Sequence, residues 1–102
     1  YQFFDAPVGI FFTIDRVMQQ GSWLDYGMFI QNVMLAAKAR GLDTCPQAAF
    51  TQFHKIIATH LNLKPEQQVV CGMSLGFADN SKIENTLVTE REPAKNFTHF
   101  LK

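Results

Sequence analysis

The segment Trp23–Ala37 constrains the fold more than any other, because it has the apolar content of a buried helix but no polar face. Between Asp25 and Lys38 the strongly polar residues are Gln31 and Asn32 alone. A helix that is apolar on nearly every side is buried on nearly every side. A chain of 102 residues has little other material with which to cover it. We therefore predict that this helix packs against a second subunit or against sequence outside this chain.

The sequence also predicts where this helix begins and ends. Ser22 is a favourable N-cap residue, and Asp25 three residues later completes a capping box with Asp in place of the usual Glu. Near the other end, Gly41 follows Lys38 and Arg40, which is typical of a helix stop with cations at the negative end of the helix dipole. The helix is therefore expected to run from Ser22 to about Arg40.

Two apolar runs flank the helical region and predict strands. Val8–Ile14 is rich in β-branched and aromatic residues and shows little polar alternation, so both of its faces are expected to be covered. Gln68–Phe77 is the second predicted strand. It contains Gly72 and Gly76, and glycine within a strand indicates a bulge or the close approach of another group.

The remaining segments complete an α+β pattern. Leu42–Ala49 is expected to be extended and broken at Pro46. A second helix is expected to open at Phe50 or Thr51, with Thr51 as its cap, and to run to about Leu61. The remainder, Ala78–Lys102, is polar and loosely patterned, so it is expected either to be disordered or to lie across another surface. An apolar cluster near its end favours docking. That cluster comprises Phe97, Phe100 and Leu101.

Charge and cysteine content bound the functional class. Lys plus Arg is 9 and Asp plus Glu is 9, so the basic excess that nucleic-acid binding requires is missing. We expect no membrane partner, since no apolar run approaches the ~18 residues of a membrane span. Cys45 and Cys71 form no paired motif. A single disulfide between them is compatible with the sequence but nothing requires it, and we expect two buried free thiols in a reducing cytoplasm. The apolar start directly after Tyr1 is expected to reflect truncation, processing or further sequence upstream.

The side chains that usually carry catalysis do not form a recognisable site. His54 and His60 lie six residues apart, whereas a metal-binding pair on a helix is spaced by three or four, so no metal is expected. Ser22 and Ser74 lack the context of a nucleophile elbow, and no glycine-rich phosphate loop is present. Taken alone, the residues predict an α+β module with a buried helix and no enzyme.

Four stretches, taken together, resemble the FMN-binding nitroreductase family. They are F-F-D-A-P-V-G-I at 3–10, the helix end and turn at 32–46, G-M-S-L-G-F-A-D at 72–79, and the N-T-L…T-E-R-E-P run at 85–93. The blocks L-A-A-x-A-x-G-L-x-T-x-P and G-F-A-D…N…T-E-R-E are specific in this order and spacing. The resemblance covers the whole chain but only the C-terminal half of the family domain. It implies a partial domain whose residues 77–102 form a C-terminal extension.

The resemblance implies a mixed sheet flanked by helices, and an intertwined homodimer with the long helix at the interface and the extension wrapped around the other subunit. It also implies ping-pong chemistry, in which NADH or NADPH reduces FMN and a nitroaromatic or quinone acceptor takes two electrons. Because the flavin supplies the redox chemistry, such an enzyme needs no acid–base pair that stands out in the sequence.

The site residues follow from the same resemblance. The turn at 44–49 matches the family segment along the flavin ring, which implies that Pro46 packs on the ring and that backbone groups of Gln47 and Ala48 approach N5. Some relatives carry an acidic residue and a glycine where this chain has Ala48 and Ala49. Arg91 matches a basic residue near the FMN phosphate, although without the resemblance it is interpreted as a solvated charge between two glutamates.

The family's Arg/Ser-rich phosphate-binding segment has no counterpart in this chain, so weak or absent FMN binding is expected for these residues alone. Two alternatives stay open. One is a truncated dimeric relative that binds no flavin and has no activity. The other is a family member with different chemistry, such as flavin-dependent dehalogenation or flavin fragmentation.

Overall fold

The computed structural model describes residues 2–101 and arranges them as three strands with two α-helices. In chain order these are β1 (Val8–Asp15), α1 (Gln20–Lys38), β2 (Asp43–Gln47), α2 (His54–His60) and β3 (Gln67–Gly76). A 3₁₀ helix, Ala48–Phe53, leads into α2, and shorter 3₁₀ turns lie at Phe3–Asp5, Ile83–Thr86 and Ala94–Asn96. Within residues 2–101, no helix has both the length and the hydrophobicity that crossing a membrane requires.

The sheet has the order β1–β3–β2, so the last strand in sequence lies in the middle. Both pairings are antiparallel. Phe12 and Thr13 of β1 pair with Cys71 and Val69, so Val70 is left without a partner in the register and forms a bulge in β3. The predicted α+β class is confirmed. The mixed sheet that the resemblance implies needs a parallel pairing, and none is present in residues 2–101.

Two apolar layers cover the two faces of this sheet. On one face α1 packs over Phe12, Cys71 and Met73, and Met73 is fully buried. On the other face Phe50 and Ile57, from the 3₁₀ helix and α2, pack over Val69. The core therefore lies on both sides of β3, which explains why β3 contains so little polar sequence.

The start of α1 differs from the prediction. The helix begins at Gln20, two residues before Ser22, and the residue at its N-cap position, Gln19, makes no side-chain cap hydrogen bond. The reason is the turn after β1, which places the Gln19 carbonyl to accept the Trp23 N–H at 3.2 Å. Ser22 therefore lies inside the helix, and the predicted capping box with Asp25 is wrong.

The predicted stop of α1 at a glycine is confirmed. The helix ends at Lys38, and Gly41 has a φ of 75°, the left-handed conformation that glycine adopts without a Cβ penalty. The Leu42 N–H returns to the Ala37 carbonyl at 3.0 Å, which satisfies one of the last helical acceptors and directs the chain into β2.

The second helix is divided, which the sequence did not indicate. Residues 48–53 form a 3₁₀ helix, and regular α-helix begins only at His54. The Thr51 hydroxyl donates to the Ala48 carbonyl at 2.8 Å inside the 3₁₀ helix, so its predicted role as the cap of α2 is wrong. The 3₁₀ segment brings Phe50 against the sheet, where it is 4% exposed.

The two strand glycines are sites of close packing, as predicted. A Cβ atom added to Gly72 would meet the Phe50 ring, with 2.8 Å to Cε2, and the Phe3 ring at 3.0 Å. A Cβ atom at Gly76 would lie 2.8 Å from Cδ of Pro7. Other groups therefore fill the space that a side chain at either position would need.

The outer face of α1 has no cover within residues 2–101. Leu24, Met28 and Leu35 recur at helical spacing and are 66%, 59% and 58% exposed. The sheet covers the opposite face of the helix, through Tyr26, Ile30, Val33 and Met34. The prediction that a second body covers the rest of α1 therefore stays a prediction.

The tail after β3 extends away from the folded body. Every residue from 77 to 101 is exposed. The Cα radius of gyration is 16.6 Å, whereas about 13 Å is usual for a chain of this length. The exposed apolar side chains of the tail are Phe77, Ile83, Leu87, Val88, Phe97, Phe100 and Leu101. Such a surface fits the predicted docking, which the single chain does not test.

Candidate functional site

The corner where β2 passes into the 3₁₀ helix carries three of the predicted site residues. Pro46 is exposed on β2, opposite Met73 of the central strand. In the described sheet β2 is an edge strand, where a proline without an N–H is tolerated. Gln47 ends the strand, and Ala48 opens the 3₁₀ helix. Pro46, Gln47 and Ala48 thus form one continuous corner on the surface.

A hydrogen bond to the central strand holds the Gln47 side chain in this corner. Its Nε2 donates to the Ser74 Oγ at 2.5 Å and lies 3.5 Å from the Cys45 carbonyl oxygen. Ser74 is 6% exposed and is the buried polar residue of the described chain. The side-chain hydrogen bonds described for Gln47 within residues 2–101 both use Nε2, and none uses Oε1.

Backbone donors lie beside this side chain. Ala48 and Ala49 are the first residues of the 3₁₀ helix, and the first N–H groups of a helical segment have no partner in a preceding turn. The Thr51 hydroxyl binds the Ala48 carbonyl and thereby fixes the first turn. The corner therefore combines the start of a 3₁₀ turn with the carboxamide of Gln47.

A left-handed turn forms the opposite wall of a cleft at this corner. Phe3, Phe4 and Asp5 have φ values of 52°, 55° and 59°, a conformation that costs about 1–2 kcal/mol per residue for side chains with a Cβ. An open cleft of about 370 Å³ lies between this turn and Gln47. It is lined by Gln2, Phe3, Phe4, Asp5 and Gln47.

Aromatic packing holds the strained turn in place. The Phe3 ring stacks on Phe50 at a centroid distance of 4.5 Å and meets Phe11 edge-on at 5.3 Å. It also covers Gly9, where an added Cβ would approach the ring to 2.5 Å. Phe4, in contrast, is 76% exposed. The turn is thus anchored on one side and presents a free aromatic ring on the other.

Arg91 lies apart from this corner in the single chain. Its guanidinium donates to the Thr89 hydroxyl and to the Glu90 carbonyl at 3.0 Å, both in its own segment of the tail. None of its described hydrogen bonds reaches β2 or the 3₁₀ helix. The structure therefore brings together three of the four predicted site residues and leaves Arg91 outside.

A hydrogen bond from Ala78 to Asp43 ties the start of the tail to the body, and the same carboxylate forms an ion pair with Lys38. Asp43 accepts from Lys38 Nζ at 2.7 Å and from the Ala78 N–H at 3.0 Å. The hydrogen bond from Lys38, and after it the one from Ala78, hold the pKa of Asp43 below its ordinary value of 3.8. This interaction is complete above that ordinary pKa and is lost as the pH falls through the lowered one.

The two cysteines occupy different environments. Both are free, but Cys45 is exposed and Cys71 is buried, so the prediction of two buried thiols is wrong for Cys45. Burial raises the pKa of the Cys71 thiol and keeps it in the neutral form.

Among residues 2–101 no group of three or more His, Cys, Asp or Glu side chains could hold a metal ion.

The comparison with protein families decides the relationship. The model of the nitroreductase family matches residues 1–77, about three quarters of the chain. The chain belongs to the nitroreductase family. The resemblance carried by the L-A-A and G-F-A-D blocks is thereby confirmed.

Curated nitroreductases match the chain over almost all of its length. It is 52% identical over 101 residues to the 4-nitrobenzoate reductase of Pseudomonas putida and 52% identical to the chloronitrobenzene nitroreductase of Comamonas testosteroni. Each match covers 99% of this chain and 44% of the relative. The chain thus spans less than half the length of these relatives.

Solved nitroreductases share the fold. The FMN-dependent nitroreductase NfnB from Mycobacterium smegmatis, in complex with NADPH, matches with a TM-score of 0.92 and 25% identity over 99% of this chain and 45% of its own. The FMN and NADPH-dependent NfnB from sphigopyxis sp. strain HMH matches with a TM-score of 0.92 and 29% identity, covering 97% of this chain and 44% of its own. The nitroreductase-like fold class is therefore confirmed.

Two features of the corner were not found by sequence reasoning. Sequence patterns test Ser74 only as a nucleophile. In the structure Ser74 lies between two strand glycines, with Phe50 and Phe3 packed over Gly72 and Pro7 packed over Gly76. The left-handed turn has little sequence signal, because only Asp5 is of a residue type enriched at positive φ, whereas Phe3 and Phe4 are not.

Proposed function

We propose that this nitroreductase-family chain is the C-terminal portion of an FMN-dependent oxidoreductase. When bound, FMN would supply the redox chemistry, accepting hydride from NADH or NADPH and passing two electrons to a nitroaromatic or quinone acceptor in ping-pong order. The observation that carries the proposal is the fixed corner at Pro46–Ala48, in a fold shared with FMN-dependent nitroreductases.

The side chains at the corner fit a flat, polar ring. Pro46 supplies an exposed apolar surface, the first turn of the 3₁₀ helix supplies N–H donors, and Gln47 Oε1 supplies an acceptor. Since these groups sit on a strand end tied to the buried Ser74, they can orient a ring with little reorganisation on binding. The exposed Phe4 ring across the cleft can stack on an aromatic molecule.

Phosphate binding requires more donors than this corner offers. We propose Arg91 as one of them, since a guanidinium can bind two phosphate oxygens at once. A phosphate site normally uses several donors. The other donors are expected from the part of the domain that the relatives have and this chain does not cover.

The proposal includes a homodimer. The outer stripe of α1, formed by Leu24, Met28 and Leu35, is exposed in the single chain, and so are the apolar side chains of the tail. Leaving such surface in water costs about 25 cal/mol per Å². A second copy that covers the stripe, with residues 77–102 wrapped around it, removes both exposures at once. Two free thiols support a cytoplasmic location, where cysteines stay reduced.

We expect Met28→Glu to weaken the dimer about tenfold or more, because it places a charge in the middle of the outer stripe. Sedimentation equilibrium of the purified protein measures this change. Gln52→Glu is the matched control, since it adds the same charge at an exposed position on the opposite layer and should leave the association constant unchanged. Equal dimer affinity for the Met28→Glu variant and the parent would remove the stripe from the interface.

The proposed function is tested in a chimera in which this chain replaces the matching 101 residues of the Pseudomonas putida 4-nitrobenzoate reductase. We expect the purified chimera to carry FMN, with an absorbance band at about 450 nm. It should also oxidise NADH or NADPH when a nitroaromatic or quinone acceptor is present. The unaltered relative serves as the positive control.

The alternatives predict different results from the same chimera. A folded dimer without a flavin band would favour the non-catalytic relative and contradict the proposal. Bound flavin combined with reductive loss of halide from a halogenated aromatic, and no turnover of nitroaromatics or quinones, would favour the dehalogenase-type alternative.

A further inference from the structure

Ser74 of β3 lies beside the corner formed by Pro46, Gln47 and Ala48, to which it is joined by a hydrogen bond. It sits on β3 directly across from Cys45 of β2, on the same face as Gly72 and Gly76, two residues away on either side. At 6% exposure its hydroxyl is removed from water, and burial of a hydroxyl is unfavourable unless the group is hydrogen-bonded. Its described partner is the carboxamide of Gln47.

The contacts of Gln47 set the orientation of its carboxamide. A serine hydroxyl can donate or accept, whereas the Cys45 carbonyl oxygen can only accept. The group of Gln47 that faces these two oxygens therefore has to be the amide nitrogen. It lies 2.5 Å from Ser74 Oγ and 3.5 Å from the Cys45 carbonyl oxygen. Both hydrogens of Nε2 then point toward β3 and the β2 backbone. Gln47 also lines the cleft, and its described side-chain hydrogen bonds use Nε2 and leave Oε1 unused.

We propose that Ser74 is a positioning residue, which acts through Gln47 to present a fixed hydrogen-bond acceptor at the cleft. This inference rests on the proposed function, because the ligand that Oε1 would meet is a ring with an N–H group, as in the flavin. Without the Ser74 hydroxyl, the long contact to the Cys45 carbonyl alone holds the carboxamide. The carboxamide can then rotate and present its NH₂ group where the ligand needs an acceptor.

The experiment is a double-mutant cycle on the FMN-loaded chimera, with Ser74→Ala, Gln47→Leu and the double variant. We expect Ser74→Ala to raise the FMN dissociation constant about three- to tenfold, the scale of one hydrogen bond. Since Ser74 acts through Gln47, the double variant should bind FMN as Gln47→Leu alone does. Ser81→Ala, an exposed serine in the tail, is the control for the chemical change.

A purely structural role of Ser74 gives a different pattern. The melting temperature would fall in Ser74→Ala, and the loss of FMN affinity, if any, would persist undiminished in the Gln47→Leu background. That pattern, or an unchanged FMN dissociation constant in Ser74→Ala, would overturn the inference. If Ser74→Ala does not fold, Ser74→Cys keeps the side-chain size with a much weaker acceptor and should show the same loss of affinity.

The cycle separates the two proposals. If the parent chimera binds FMN and the Ser74→Ala variant has the same FMN dissociation constant, the positioning role is contradicted and the proposed function stands. A parent chimera that is folded but binds no FMN contradicts both proposals.

Discussion

Replacing Gly72 with valine is expected to lower the free energy of unfolding by about 3 kcal/mol or more, at the upper end of the cost of overpacking a core. A Cβ atom there would overlap the Phe50 ring and approach the Phe3 ring to 3.0 Å. Phe50 cannot move aside easily, because Phe3 stacks on it at 4.5 Å and Phe11 meets it edge-on at 5.2 Å. Gly72→Ala should cost about 1–3 kcal/mol for the same reason.

The predicted loss of stability at Gly72 is opposite in sign to the effect expected for an ordinary strand glycine. In a strand without such neighbours, alanine would stabilise relative to glycine by about 0.5–1 kcal/mol, and valine suits a strand better still. Thermal unfolding of the chain and of the chimera measures the effect, at roughly 4–8 °C per kcal/mol for the chain alone. Gly21→Ala in α1 is the matched control, since nothing lies within 4 Å of its added Cβ, and it should be neutral or slightly stabilising. A rise in melting temperature for Gly72→Ala would show that the rings do not fill this space.

The second large effect is expected at Arg91. In the FMN-loaded chimera, Arg91→Ala should weaken FMN binding by about 1.5–3 kcal/mol, the scale of a hydrogen bond to a charged group. Arg91→Lys should recover only part of this, because an ammonium group cannot bind two phosphate oxygens in the planar geometry of a guanidinium. In the single chain the guanidinium binds its own backbone, so it is free to exchange these contacts for a phosphate.

A flavin titration of the apo-chimera measures this change. Lys95→Ala is the matched control, since it removes another exposed cation of the same tail. Arg91 is the only cation between Lys82 and Lys95, so no close neighbour can replace it. Equal FMN affinity in the Arg91→Ala variant and the parent would show that Arg91 does not bind the phosphate and is a solvated surface charge.

The strands and the glycine stop of α1 could be predicted because their causes are local. Apolar runs of β-branched and aromatic residues predicted the bounds of two strands to within one residue, β1 at Val8–Asp15 and β3 at Gln67–Gly76. Gly41 ended the helix because only the absence of a Cβ allows its φ of 75° at little cost. The corner at Pro46–Ala48 came from the family resemblance and lies on one continuous surface.

What failed depends on contacts that the sequence does not encode locally. Ser22 is a residue type that favours the N-cap position. The turn after β1 instead makes the Gln19 carbonyl the acceptor of the first helical hydrogen bond, from the Trp23 N–H. Thr51 has the right chemistry for a cap. The chain instead forms a 3₁₀ turn that packs Phe50 against the sheet, and in this turn the Thr51 hydroxyl donates to the Ala48 carbonyl.

The sequence by itself determined the family, the order of the elements and an α1 too apolar for a lone helix, because these depend on residue identity and spacing. Only the tertiary structure decided the left-handed turn at Phe3–Asp5 and the bond between Gln47 and Ser74. Both join parts of the chain that are far apart in sequence. Phe3 holds its strained backbone through the distant Phe50, and Gln47 is oriented by a strand 27 residues away. Such contacts exist only once the sheet has brought their partners together.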